Sequence, residues 1–226
     1  MDEIKDKNKV KKNDKKKGCI SKKKKIALII IGVVLVILVT VLVCFFVNKN
    51  NKHKPEDIVN VTEVSDRIDK YGYSLNKNVT DYYKDEFNKL KNLSNEEEIA
   101  KQVAKLFVID LFSMDYKINK YEVTSAQYFY SDKRDMHRNK VMDNLYNLME
   151  DNSYGDRKQK LPEVTNVEVS DVKKDNYSLG DKKVDSYVVN LTISYKENLG
   201  YDTKGEVILV KDNDNISVVS YKSIKG

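Results

Sequence analysis

Cysteine is almost missing from this chain of 226 residues, and tryptophan is missing altogether. Both cysteines, Cys19 and Cys44, lie near the start, so nothing beyond Cys44 can form a disulfide. That excludes a disulfide-built scaffold and suits a domain facing a bacterial cell wall better than an animal ectodomain. Histidine is nearly as scarce, with only His53 and His137. Without cysteines to join them, a zinc site or a Cys–His nucleophile lacks ligands. His53 sits in a polar stretch. His137, in Arg134-Asp-Met-His137-Arg138, reads as a surface histidine among charges. The eight glycines are scattered singly, which leaves no glycine-rich phosphate loop. Asp212-Asn-Asp214 opens like a calcium loop but lacks the loop glycine and closing glutamate, so it reads as a turn. No cofactor and no metal site is expected.

What the chain does have is an uncharged run, Ile26 to Val47, interrupted by the single hydroxyl Thr40. About 22 residues at 1.5 Å rise give roughly 33 Å of helix, enough to cross a hydrocarbon core of about 30 Å. The run is longer than a secretory signal core, and no small-x-small cleavage pattern follows it. Cys44 has Val43 before it where a lipobox has Gly or Ala, so it reads as an apolar helix residue. The Met-Asp start carries no myristoylation glycine. Cys19 is a juxtamembrane thiol, a palmitoylation candidate only in a eukaryote.

Lysine asymmetry orients the span. Lys15, Lys16, Lys17, Lys22, Lys23, Lys24 and Lys25 crowd the N-terminal flank, against Lys49, Lys52 and Lys54 beyond it. The N-terminus should therefore stay inside and the rest of the chain outside. Residues 1–25 carry a net +8 of the formal +6, leaving about −2 for the remainder. The pI of 8.9 thus belongs to the tail, which faces anionic lipid, and no nucleic-acid partner is implied. Five Asn-x-Ser/Thr sequons, at Asn60, Asn78, Asn92, Asn190 and Asn215, keep open a glycosylated type II protein of an AT-rich eukaryote.

The organisation expected is a disordered tail over 1–25, a transmembrane helix over 26–47, a tether over 48–57 and one α+β domain over 58–226. Residues 59–76 alternate weakly, as in an extended piece or loose hairpin. Tyr82, Tyr83, Phe87 and Leu90 suit a helix over 79–92. Ser94-Asn-Glu-Glu97 reads as a capping box opening a helix to about Met114, whose stretch Val103–Phe112 is apolar nearly all round. A third helix is expected over 131–152, with Val141, Met142, Leu145, Leu148 and Met149 on its inner face. Four strands then follow as an antiparallel meander. Tyr187, Val189, Leu191, Ile193 and Tyr195 share one face, and Leu179-Gly180-Asp181, Asn198-Leu-Gly200 and Asp212–Asn215 form turns. About three helices on one face of a curved four-stranded sheet is the expected fold.

A lysine-flanked span, a tether, a long buried helix, further helices and a C-terminal four-stranded sheet together resemble the membrane-anchored, cone-shaped nuclear-transport-factor-2-like domains. VirB-type and TcpC-type subunits of conjugation and secretion channels are of this kind. The resemblance covers roughly 79–226 and rests on element order. It implies a bitopic cell-envelope protein whose outer domain works by protein–protein contact, in a secretion or conjugation assembly, without enzymatic activity.

One residue supports a rival class. Asp110, in Leu-Phe-Val-Ile-Asp-Leu-Phe, is a carboxylate on the apolar helix. Cone-shaped folds such as ketosteroid isomerases place an acid in their cavity, which would make Asp110 the pocket group of a ligand-binding or enzymatic domain. Otherwise Asp110 lies on a narrow wet strip with Asp115 and Lys117, or pairs with a lysine or tyrosine. Tyr154–Lys160 is a candidate partner-binding loop. Weak self-association of anchored copies is also expected, through an outer strand such as Ile216–Tyr221 or the helix face.

Overall fold

The computed structural model describes residues 64–224. The lysine-rich tail with its membrane-facing lysines, the apolar run 26–47 and the tether all lie outside the described residues. Among the described residues no helix is long and apolar enough to cross a membrane.

The described chain begins with a small antiparallel hairpin, β1 (Val64–Ile68) and β2 (Tyr73–Asn76). Alternation buries Tyr71, Tyr73 and Leu75 on one side. Helix α1 (Asp81–Leu90) is capped by Thr80, whose hydroxyl accepts from the Tyr83 amide. Its buried residues, Tyr83, Glu86, Phe87 and Leu90, follow the 3.6-residue period.

Helix α2 (Glu96–Phe112) is the centre of the fold. Its cap is Asn95 rather than Ser94. The Asn95 carboxamide oxygen accepts from the amides of Glu97 and Glu98 at 2.9 and 3.2 Å, so the expected capping box does not form. Three glutamates in the first turn face the positive end of the helix dipole. Between Ile99 and Phe112 only Lys101 and Lys105 escape burial.

Two short 3-10 turns, Thr124–Tyr128 and Ser131–Lys133, lead into α3 (Arg134–Lys140). The helix expected over 131–152 is therefore broken. Over Val141–Leu145 the backbone widens into a π turn, in which the Tyr146 amide reaches back to the Val141 carbonyl. The Asn144 carboxamide donates to the Lys140 carbonyl at 2.8 Å, the acceptor its own amide would use in an α-helix. Beyond the π turn the inward face is lost. Met149 is buried but Leu148 is 82% exposed.

The sheet has the order β3 (Val164–Leu179), β4 (Lys182–Tyr195), β5 (Lys204–Asp212), β6 (Asn215–Ser223), antiparallel throughout. The fold is thus α+β, with α2 packed against all four strands. Two bulges bend β3, between Val164 and Asn166 and between Val169 and Asp171. Val164 and Val167 of β3, Val189, Leu191 and Ile193 of β4, Val207 and Leu209 of β5, and Ile216 and Val218 of β6 form the sheet's share of the core. Gly205 is required for close approach, since a Cβ there would lie 2.6 Å from the Tyr221 ring.

The edges differ from expectation. The outer edge of β6 is partly occupied, because the Tyr130 amide donates to the Val218 carbonyl at 2.8 Å and Phe129 bridges Val218 in parallel. The β3–β4 ladder outruns the rest of the sheet, so residues 182–185 of β4 pair with β3 alone.

Candidate functional site

Asp110 lies on the third-to-last residue of α2 and is 1% exposed, as is Lys117 in the loop that follows. Because α2 stops at Phe112, the chain turns back and brings the Lys117 ammonium to 2.7 Å from Asp110 Oδ1. The same oxygen accepts from Tyr116 at 3.0 Å and from Thr124 at 2.6 Å. Lys117 also donates to Thr124 at 3.0 Å, so the threonine hydroxyl accepts from the lysine and donates to the carboxylate. Oδ2 accepts from Tyr83 at 3.1 Å. With its proton thus committed, Tyr83 accepts from Tyr128 at 2.9 Å. Tyr146 closes the cluster by donating to the Leu111 carbonyl at 2.8 Å.

Electrostatics hold the tyrosines of this cluster neutral. Burial, and then the Asp110 charge, push the hydroxyls of Tyr83, Tyr116, Tyr128 and Tyr146 well above the ordinary phenol range. All four remain neutral donors at any physiological pH. Three donors converge on Oδ1 while Oδ2 accepts from Tyr83, and the whole carboxylate is 1% exposed, which keeps it out of reach of solvent. Of the alternatives for Asp110, the wet strip is not observed, since Asp115 is exposed while Lys117 is buried. Pairing with both a lysine and tyrosines is what the fold builds. Helical spacing does not identify these partners, because Tyr116, Lys117 and Thr124 lie past the helix end and Tyr83 comes from α1.

His137 is not a surface residue. It is buried and stacked on Phe129, with ring centroids 4.2 Å apart and planes within 10°. Its Nε2 lies 3.3 Å from Ser125 Oγ. Burial, assisted by the nearby charges of Lys140 and Arg138, pushes its pKa down to about 4. The aromatic residues at 107 and 129 form its pocket, and neither is adjacent to it in sequence.

His137 also borders a groove of about 360 Å³ between the α3–π segment and β6. Phe112, Met136, Val141, Leu145 and Tyr221 give it apolar walls, with Lys140 and Asp202 among its polar groups. Asp110 does not line this groove. The Tyr154–Lys160 loop is tied down rather than free. Arg157 donates to the carbonyls of Lys117 and Asp115, and Gln159 donates to Leu148. Tyr154 is the loop's exposed aromatic, at 93%. Among the described residues, no three of His, Cys, Asp and Glu are placed to hold a metal ion.

Comparison with protein-family models, with curated protein sequences and with solved structures returns no significant match.

Proposed function

We propose that this chain is a single-pass cell-envelope protein, N-terminus inside, whose outer α+β domain acts by protein–protein contact in a secretion or conjugation assembly. The observation that carries the reading is the enclosure of Asp110 and its pairing with Lys117. This acid is held by Lys117, Tyr116, Thr124 and Tyr83, an arrangement that supports a structural role over acid–base catalysis. The sequence adds the uncharged run 26–47 with lysines massed on one flank. Likeness to the cone-shaped nuclear-transport-factor-2-like domains supports the assembly role through element order alone.

A second reading draws on the groove beside His137. An apolar recess of about 360 Å³ with few polar groups has the size and lining of a small-molecule site. In that case the domain binds a ligand without using Asp110. Topology tests the leading reading first. Protease added to intact cells or protoplasts should remove the chain beyond about residue 55 and spare a tagged N-terminus. A protected C-terminal tag overturns the orientation, and a mature chain starting after residue 40 overturns the anchor.

A further inference from the structure

The four-stranded sheet splits at one end. After Ser186 pairs with Val210, the β3–β4 and β5–β6 hairpins diverge, and β4 continues through Asp185 to Lys182 with no strand on that side. Beside this divergence lies a cleft of about 770 Å³, lined by residues 174–176 of β3, residues 183–187 of β4, and Glu96, Lys211 and Ile216. That is room for a short peptide segment.

The backbone parity of β4 is known. Ile193 donates its amide to Thr203, on the β5 side. Alternate residues of a strand face opposite neighbours, and β4 carries no bulge. The amides and carbonyls of Lys183 and Asp185 therefore open into the cleft. Ser186, 2% exposed, marks the point where the open edge of β4 begins.

The other edges are less suited to accept a strand. β6 is partly closed by Tyr130. The first half of β3 is interrupted by two bulges, and its Val167 amide donates to the Tyr82 hydroxyl at 2.7 Å, while beyond Val172 its outer edge carries Lys173, Lys174 and Asp175 in succession.

We propose that two copies of this domain join through the free edges of β4, about a two-fold axis at Val184. Parity allows hydrogen-bonded pairs only between odd-numbered residues, so the register places Lys183 of each copy opposite Asp185 of the other. Two opposite-charge cross-strand pairs result, where most self-pairings of a charged edge would set like charges together. Val184 meets the second copy's Val184 in the close, non-hydrogen-bonded position. Ser186 lies opposite the second copy's Lys182. A contact of about four residues is small, and confinement of anchored copies to one membrane supplies the concentration it needs. The inference rests on the proposal that the outer domain acts by protein contact.

The test uses the full-length chain in its membrane, with Cys19→Ser and Cys44→Ala removing the native thiols. Val184→Cys should form a disulfide-linked dimer under mild oxidation much faster than Leu148→Cys, an exposed position elsewhere. On the Val184→Cys background, Lys183→Asp or Asp185→Lys should slow linking by roughly five- to tenfold, and the two together should restore it. Linking at Val184→Cys no faster than at Leu148→Cys overturns the proposal, and so does a double charge swap that fails to restore it. Linking of Val184→Cys to a different protein also overturns it and assigns the cleft to a foreign strand. Protease accessibility measured on the same membranes separates the two levels. Normal accessibility without dimer linking rejects this interface and leaves the envelope topology standing.

Discussion

Lys117→Met removes the cation from the domain's centre and leaves its shape nearly filled. In the folded chain Asp110 then keeps Tyr83, Tyr116 and Thr124 as donors but loses the ammonium at 2.7 Å. Breaking a buried pair from one side costs about 3–5 kcal/mol, because the remaining charge stays desolvated. Domains of this size have about 5–15 kcal/mol in all. At about 2–4 °C per kcal/mol, the melting temperature should fall by roughly 6–20 °C. Asp110→Asn should behave similarly by stranding Lys117. The double variant Asp110→Leu/Lys117→Met strands no charge and leaves only hydroxyls unpaired, each worth about 1–3 kcal/mol. It should therefore be less damaging than the sum of the two single changes. Thermal melts of the purified full-length chain in detergent, followed by circular dichroism, read all of these. A Lys117→Met variant that melts within about 2 °C of the parent would refute a buried, mutually dependent pair.

Two further outcomes follow from local structure. The His137 pKa of about 4 compares with about 6.5 in the unfolded chain. The unfolded chain therefore binds the extra proton first, so this contribution is complete above pH 6.5 and drains away as pH falls toward 4. Its size is about 3 kcal/mol. His137→Gln should flatten the stability profile within that window, and urea midpoints at pH 7, 5.5 and 4 measure the change. At the start of α2, Asn95→Ala should cost about 1 kcal/mol while Ser94→Ala costs little. Equal effects in denaturant melts would count against Asn95 as the cap.

Much of this architecture is readable from periodicity. Tyr83, Phe87 and Leu90 announce α1, and the alternation of Val189, Leu191 and Ile193 announces β4. In each case a single face meets the core, so burial is written as a repeat. What resists reading is whatever depends on distant partners or on competition within one turn. Asn95 displaces Ser94 because both can cap, and the choice depends on where the chain enters the helix. Val141, Leu145 and Leu148 fit an inward stripe only while the α geometry lasts. The Asn144 side chain ends that geometry after Lys140. The burial of His137 depends on Phe107 and Phe129 arriving from other elements. Asp110 stands out in sequence as a charge among apolar residues, but its neutraliser becomes visible only when the chain reverses after Phe112.

The central place of α2 has a consequence in time. The helix is apolar on nearly every side, and the strands that cover it are the last to be made. From the end of α2 at Phe112 to the end of β6 at Ser223 lie about 110 residues. At synthesis rates of about 5–20 residues per second, that is roughly 5–20 s during which the greasiest helix of the domain exists without its sheet. A newborn chain is thus most prone to stick to others while its meander is still unmade. Substitutions that delay pairing of β4 with β5 should lower the yield of folded protein even when the finished domain melts normally.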